Sequence, residues 1–163
     1  MRKIFLTFFY FGSVSVAPGT FGTIAALIPA FFVLKYLGVQ TLFLLCILIF
    51  LAGISSVNAY EQEGGEHDNK HIVIDEVAGV FLALSVYGST VFSFILSFVF
   101  FRIFDITKPS IIRRVDENVK GGLGVMLDDI LAGALAGLCC AIVCGILQKF
   151  NLLTWDIAIK DLF

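Results

Sequence analysis

Two adjacent carboxylates stand where a polar loop meets an apolar block. Asp75 and Glu76 follow three aliphatic residues and precede the block that begins at Val77. The positive end of a helix dipole favours an acid in the first turn, which would explain one of them. Two charges beside an apolar run are costly unless a cation neutralises them. Because hard divalent cations prefer oxygen ligands, this pair predicts a metal site.

A second acidic pair repeats this pattern further along the chain. Asp128 and Asp129 follow a glycine-rich stretch, which we interpret as a turn, and stand at the predicted head of the last apolar block. Upstream, Arg102, Asp105 and Lys108 are spaced by three residues, so a helix would place them on one face. One acidic pair is typical of a helix cap. Two pairs, with a third acid and nearby cations, indicate a metal-and-phosphate site.

The segment Ala17–Thr23 is a third candidate for chemistry. Its sequence, Ala-Pro-Gly-Thr-Phe-Gly-Thr, combines a forced turn with glycines that let a ligand approach the backbone. Thr20 or Thr23 could cap the helix that follows, and a helix N-terminus with hydroxyls is suited to bind an anion. Taken without the other motifs, a capped turn at the start of a membrane helix is the simpler interpretation.

Together these residue types match the needs of phosphate monoester hydrolysis. Carboxylates hold Mg²⁺, which bridges phosphate oxygens and can lower the pKa of bound water. Lys108 or a nearby arginine would neutralise the remaining phosphate charge. The sequence leaves two nucleophiles open, a metal-bound water and a carboxylate.

The composition places these residues in a small integral membrane protein. Of 163 residues, 59% are hydrophobic and 15% are charged, whereas soluble domains have about 25% charged residues. The mean hydropathy is +0.99. These values exclude a disordered chain, a secreted disulfide scaffold and a nucleic-acid binder with a basic face. Of 13 acidic residues, six lie within residues 61–76 and five within residues 102–129, so two loops carry more acid than solubility requires.

Four apolar blocks are long enough to supply helices for a bilayer. They cover residues 21–37, 41–59, 77–101 and 130–147. Basic residues at the N-terminus and in the second acidic loop predict that both are cytoplasmic. The third block must then leave and return within 25 residues, which is too short for two full crossings.

A break in the third block is available at Tyr87–Thr90, where glycine and small polar residues could turn the chain. The sequence therefore predicts an all-α fold, a small polytopic membrane bundle with a bent or re-entrant helix pair shielded by protein. A single crossing, which would put the two charged loops on opposite faces, is the alternative. One domain covering residues 1–163 is expected.

These motifs resemble those of the phosphatidylglycerophosphatase A family. The resemblance covers residues 17–137 and rests on four segments, namely 17–23, 74–79, 101–109 and 121–133. The run Gly-Gly-x-Gly-x-Met-x-Asp-Asp, joined to Phe-Asp-x-x-Lys-Pro, is its most specific part. Two turns depart from the family pattern, at Ser13–Val16 and at Ile111, where the family has proline. These departures bear on loop shape and substrate preference more than on the metal site.

The resemblance implies a Mg²⁺-dependent enzyme that removes the terminal phosphate of phosphatidylglycerophosphate to give phosphatidylglycerol. It implies a multi-pass protein of the bacterial inner membrane, acting in phospholipid biosynthesis with its site on the cytoplasmic side. The catalytic residues expected are Asp75, Glu76, Asp105, Lys108 and Asp129. Phosphate binding is expected at Thr20, Thr23, Arg102 and Lys108. Metal binding is expected at Asp68, Asp75, Glu76, Asp105, Asp128 and Asp129.

The expected partners are the lipid substrate and the bilayer, with no nucleic acid, and the sequence leaves a homo-oligomer open. The alternative function is a non-enzymatic membrane protein that binds or transports cations. Transport predicts acids within the apolar blocks, whereas here they lie at block ends. A flux assay in liposomes distinguishes the two functions.

Overall fold

The computed structural model describes residues 1–65, 69–153 and 156–162. Within these ranges the chain forms seven α-helices and two short 3₁₀ turns, and it contains no β-strand. The predicted all-α class is therefore confirmed. In chain order the helices are α1 (Arg2–Leu6), α2 (Pro18–Tyr36), α3 (Val39–Gln62), α4 (Ile74–Tyr87), α5 (Val91–Thr107), α6 (Ser110–Asn118) and α7 (Gly121–Lys149). The 3₁₀ turns are Phe11–Ser13 and Ile159–Asp161.

In the part of the chain that the structure describes, three helices are long and apolar enough to cross a membrane: α2 with 19 residues, α3 with 24 and α7 with 29. Even the shortest is about 28 Å long at 1.5 Å per residue, close to the ~30 Å thickness of the hydrocarbon core. Each exposes bulky apolar side chains, such as Phe32 of α2, Leu48 of α3 and Ile142 of α7. These outer faces are suited to contact with lipid.

The third apolar block folds as two helices separated by a three-residue break, as predicted. Thr90 caps α5 through reciprocal hydrogen bonds with Ser93. Across the turn, the Ser97 hydroxyl donates to the Tyr87 carbonyl at 2.8 Å. These contacts reverse the chain and hold α4 against α5. The bent helix pair is therefore confirmed.

Of the helix pair predicted to be shielded by protein, α4 is shielded, whereas α5 exposes an apolar face that includes Ile95 and Ile106. α4 packs against α2, α3, α5 and α7, and its middle, from Val77 to Phe81, is buried on all sides. It crosses α7 at very short range, since a Cβ on Gly133 would lie 2.2 Å from the Gly79 carbonyl oxygen. Small residues at such crossings let two helix backbones meet.

The charged ends of four helices meet at one end of the bundle. Arg102 near the end of α5 donates a hydrogen bond to Thr20 in the first turn of α2. Lys108, just after α5, contacts Asp128 of α7. The acids at the start of α4, which end the first charged loop, lie beside an acid of α7, so the hairpin returns the second charged loop to the same end as the first. The single-crossing alternative, with the loops on opposite faces, is wrong.

α7 begins at Gly121, well before the predicted start of the last block. Most of the glycine-rich stretch is therefore helix rather than the predicted turn, and Gly121 alone among its glycines has a left-handed backbone, with φ +72°. Asp128 and Asp129 lie about two turns inside the helix instead of at its head. Close packing explains this, because a Cβ on Gly122 would lie 2.4 Å from the Ile54 carbonyl oxygen of α3. The glycines let two helix backbones touch.

Candidate active site

Three carboxylates from two helices come together at the charged end of the bundle. Asp75 and Glu76 extend from the first turn of α4 and Asp129 extends from α7, and one oxygen of each lies within 4.8 Å of the others. Among the described residues, Glu76 Oε2 is buried without a hydrogen-bond partner. A buried oxygen in this state is costly. We call Asp75, Glu76 and Asp129 the acid cluster, and it is suited to hold a cation.

The protonation of the two α4 acids reflects this crowding. Burial of the carboxyl group is the main cause that raises the pKa of Glu76 to about 8, and the Asp129 and Asp105 charges add to it. Burial and the neighbouring Glu76 charge raise the pKa of Asp75 well above its usual range. Both side chains retain some solvent exposure. A cation at the cluster would oppose these shifts and displace protons.

Arg102 ties α5 to α2 beside the acid cluster. Its Nη2 donates to Thr20 Oγ1 at 3.1 Å and its Nη1 to Thr23 Oγ1 at 3.3 Å. Nη1 also forms an ion pair with Asp105, one turn further along α5. The guanidinium is therefore held from both sides and largely buried. A positive charge fixed in this way is suited to neutralise an anionic substrate.

The two threonines do not cap α2 in the way that the simpler interpretation of this motif required. The helix begins at Pro18 after Ala17, with no side-chain cap hydrogen bond. Thr23 is fully buried, and its hydroxyl donates to the Gly19 carbonyl at 2.7 Å while accepting from Arg102. Thr20 is only partly buried. Both threonine hydroxyls thus accept a hydrogen bond from the Arg102 guanidinium.

Gly19 lets the acid cluster approach the first turn of α2. A Cβ at this position would lie 2.2 Å from Glu76 Oε1 and 3.6 Å from Arg102 Nη1. No alanine fits there unless the Glu76 carboxylate moves. Gly19 therefore fixes the distance between the acid cluster and the guanidinium, a role that the sequence analysis did not assign to it.

Replacing Gly19 by alanine is expected to weaken cation binding by about tenfold, the size of effect typical for groups that orient metal ligands. The added methyl group displaces Glu76, although alanine favours helix over glycine by roughly 1 kcal/mol. Mn²⁺ titration followed by electron paramagnetic resonance measures the change. Gly145→Ala on α7 is the matched control, because a Cβ there meets nothing within 4 Å. Equal affinity in the two variants would refute this role.

Lys108 and Asp128 form a second ion pair next to the cluster. Lys108 Nζ lies 2.8 Å from Asp128 Oδ2, and the Asp128 side chain is 9% exposed. Lys108 ends α5 in the left-handed region, with φ +40°, which costs a non-glycine residue roughly 1 kcal/mol or more. The residue that has this left-handed backbone is thus the same one that forms the salt bridge from the end of α5 to α7.

The residues expected to bind metal thus fall into three groups. Asp75, Glu76 and Asp129 converge. Asp105 and Asp128 lie beside them, and each is paired with a cation, Arg102 and Lys108 respectively. The remaining residue, Asp68, lies outside the described residues.

Comparison with known proteins adds to this geometry. The family model described as Phosphatidylglycerophosphatase A matches residues 4–144 of the chain. The chain belongs to the phosphatidylglycerophosphatase A family. The match covers the whole of α2 to α6 and most of α7. It therefore includes every residue of the acid cluster.

Two curated relatives carry the name phosphatidylglycerophosphatase A. The protein from Haemophilus influenzae is 40% identical over 126 residues, covering 77% of each chain. The protein from Escherichia coli is 36% identical over 126 residues, covering 77% of this chain and 73% of its own. A Bacteroides thetaiotaomicron protein, 40% identical over 124 residues, covering 72% of this chain and 77% of its own, is named as a candidate phosphatidylinositol-3-phosphatase. No solved structure matches the chain.

In this member of the phosphatidylglycerophosphatase A family, Asn58 is a supporting residue that the sequence analysis missed. Its side-chain oxygen, from α3, accepts a hydrogen bond from the Gly122 amide at 2.7 Å. It thereby satisfies one of the free N–H groups at the start of α7. The available signal was a lone asparagine near the end of an uncharged apolar block.

Proposed function

We propose that this chain hydrolyses the terminal phosphate monoester of phosphatidylglycerophosphate to give phosphatidylglycerol and inorganic phosphate. The observation that carries the proposal is the convergence of the acid cluster with Arg102 at one end of an apolar helix bundle. Membership of the phosphatidylglycerophosphatase A family and the names of two relatives support the same substrate. The lipid tails would stay in the bilayer while the headgroup reaches the charged end.

We further propose Mg²⁺ as the cofactor, held by Asp75, Glu76 and Asp129. The donor set consists of carboxylate oxygens, which suits a hard cation, and the buried Glu76 Oε2 has an unfilled requirement for a partner. When bound, Mg²⁺ neutralises phosphate charge and lowers the pKa of a water ligand. The mutual repulsion of the three acids favours binding of the cation at this place.

The cationic side chains would bind and orient the phosphate. Hydrolysis forms a bond from the incoming oxygen to phosphorus and breaks the bond to the glycerol oxygen, which gains a proton. Arg102 is placed to donate hydrogen bonds to phosphate oxygens, and Asp105 holds its guanidinium in position. Lys108 supplies a second positive charge while contacting Asp128. Thr23, which is fully buried, acts by positioning Arg102.

We propose that the site faces the cytoplasm in the bacterial inner membrane. Support comes from the position of α1 at the same end of the bundle as the acid cluster. The Val73 amide, just before α4, donates to the Leu6 carbonyl at 2.9 Å, and Arg2 pairs with Glu63 after α3 at 2.6 Å. The basic residues of α1 and of the second charged loop therefore share one end, which the positive-inside rule assigns to the cytoplasm.

Metal removal and substrate comparison test the proposed function. In detergent micelles with Mg²⁺, the protein is expected to release phosphate from phosphatidylglycerophosphate at least about tenfold faster than from phosphatidylinositol-3-phosphate. A factor of ten corresponds to about 1.4 kcal/mol of discrimination. EDTA should abolish the activity and added Mg²⁺ restore it. A faster reaction with the inositol lipid would reassign the substrate, and phosphate release that persists in EDTA would contradict the metal assignment.

A further inference from the structure

A groove lies on the outer face of the bundle, directly beside Arg102. It has a volume of about 460 Å³ and runs between the start of α2 and the second half of α5. Its wall is formed mainly by apolar side chains of α5, with Arg102 and Thr20 on the edge nearest α2. The apolar wall residues are Phe98, Val99, Ile103 and Ile106. They span about 12 Å along the helix axis.

The groove and the candidate active site share residues. Arg102 Nη2 donates to Thr20 Oγ1 at 3.1 Å, and both residues line the groove. The other guanidinium nitrogen of Arg102 faces the same point of the α2 backbone, at Gly19, as Glu76 of the acid cluster. Arg102 therefore lines the groove and also lies beside the turn of α2 that Glu76 of the acid cluster approaches.

This combination selects one class of ligand. The apolar wall alone would accept any lipid chain, because lipid tails and aliphatic side chains are equally apolar. A guanidinium along the edge favours a molecule that carries an anionic group beside its hydrocarbon chain. A glycerophospholipid with a phosphate headgroup has this arrangement. A neutral lipid would offer no anionic acceptor to Arg102, whose charge Asp105 would then balance.

We propose that the groove between α2 and α5 holds one acyl chain of the lipid substrate, and that the headgroup enters the acid cluster across the Arg102–Thr20 contact. The inference rests on the proposed function and adds to it the path and the orientation of the substrate. Val99 and Ile103 are positioning residues in this arrangement. They are 42% and 46% exposed, so substitutions there should leave the fold intact.

The groove acts on positioning rather than on membrane affinity. A chain that moves from bilayer to groove exchanges one apolar environment for another and gains little from the hydrophobic effect. Its contribution is to align the phosphate with the acid cluster, and misplacement by about 1 Å can cost 10²-fold in rate. Filling the groove should therefore reduce the catalytic efficiency and leave cation binding unchanged.

Tryptophan substitutions in the groove test the proposal. Val99→Trp and Ile103→Trp are each expected to lower kcat/KM for diacyl phosphatidylglycerophosphate in mixed micelles by about tenfold or more. The matched control is Leu48→Trp, because Leu48 is a similarly apolar residue, 62% exposed on α3, and α3 does not contribute to the groove. Mn²⁺ affinity, the second readout, should equal that of the unsubstituted protein in all three variants.

Photo-crosslinking provides an independent measurement. A benzophenone amino acid at position 103 or 48 is placed in the Asp129→Asn background, so that the substrate is not consumed. The vesicles contain phosphatidylethanolamine with a small fraction of phosphatidylglycerophosphate. Adducts at position 103 should be enriched in the anionic lipid above its mole fraction, whereas adducts at position 48 should follow the bulk composition.

The outcomes separate the two proposals. If Val99→Trp and Ile103→Trp are as active as Leu48→Trp, or lose Mn²⁺ affinity in step with activity, the groove does not hold the substrate chain. Adducts at position 103 that follow the bulk lipid composition would equally overturn the groove proposal. If the unsubstituted protein releases no phosphate from phosphatidylglycerophosphate, the proposed function fails, and the crosslinking enrichment alone then decides the groove.

Discussion

Replacing Asp129 by asparagine is expected to lower phosphate release from phosphatidylglycerophosphate by about 10³-fold, equivalent to ~4 kcal/mol. Asp129 is the buried member of the acid cluster, and the only one of the three that α7 provides. Asparagine preserves the shape of the side chain and removes its charge. The cation would then lose a ligand and the phosphate would lose the neutralising charge beside it.

The same substitution should not destabilise the protein when the cation is absent. Removing one ionisable carboxyl from a crowded acidic cluster relieves repulsion, so Tm in EDTA should stay equal or rise. The increase in Tm that Mg²⁺ gives the unsubstituted protein should disappear. Asp161→Asn is the control, since Asp161 is exposed and distant from the acid cluster. Its 3₁₀ turn lies at the opposite end of the α4–α5 hairpin, where the Ile159 amide donates to the Ser89 carbonyl. More than a tenth of the activity remaining in Asp129→Asn would contradict the assignment.

Replacing Arg102 by lysine is expected to lower kcat/KM by about 10²-fold although the charge is retained. The guanidinium reaches Thr20, Thr23 and Asp105 at the same time. Lysine has a compact ammonium group and cannot span these partners or present two parallel N–H donors to a phosphate. Lysine is preferred to a neutral residue here, because a neutral residue would leave the partly buried Asp105 charge without a counter-ion.

Two measurements separate a defect in phosphate binding from a general collapse of the site. Mn²⁺ affinity of Arg102→Lys should stay within about threefold of the original, since Arg102 provides no ligand atom. Arg114→Lys on α6 is the matched control at an exposed arginine, and its kcat/KM should not change. The proposed role of Arg102 is wrong if the two lysine variants are equally active, or if Arg102→Lys loses cation binding in parallel with activity.

The sequence predicts those parts of the fold that depend on neighbouring residues. The break before Thr90 follows from glycine and small polar residues, and the structure has it in place. Arg102 and Asp105 are three residues apart, which fixes their common helix face, and they form an ion pair. The acid pair Asp75 and Glu76 marks the start of a helix, as found. In each case one local interaction decides the structure.

The family resemblance implied that acids from distant segments converge, but the contacts that support them are not evident in the sequence. Gly19 and Glu76 are 57 residues apart in the chain, and their contact exists because α2 and α4 happen to pack at that turn. The interaction of Asn58 with the start of α7 depends in the same way on helix packing. Nothing in the local sequence specifies which backbones will meet.

The start of α7 shows how local signals can mislead. Glycines normally favour turns, so residues 121–124 were expected to form one. In the structure Gly122 and Gly124 lie in the helix, where a Cβ would come within 2.4 Å of the Ile54 oxygen and 1.9 Å of the Val119 oxygen. At Gly122, packing against α3 outweighs the cost of glycine in a helix, roughly 1 kcal/mol, whereas the Val119 contact of Gly124 is local to the start of α7.

The central claim is that Asp75, Glu76 and Asp129 share one cation. Mn²⁺ titration of single and double variants measures this most directly, because ligands of a common ion are coupled. Asp75→Asn and Asp129→Asn should each weaken Mn²⁺ binding by at least about tenfold. In the double variant, the loss of binding free energy should be much smaller than the sum of the two single losses. Additive losses, or single variants that bind Mn²⁺ as the original protein does, would contradict the shared site.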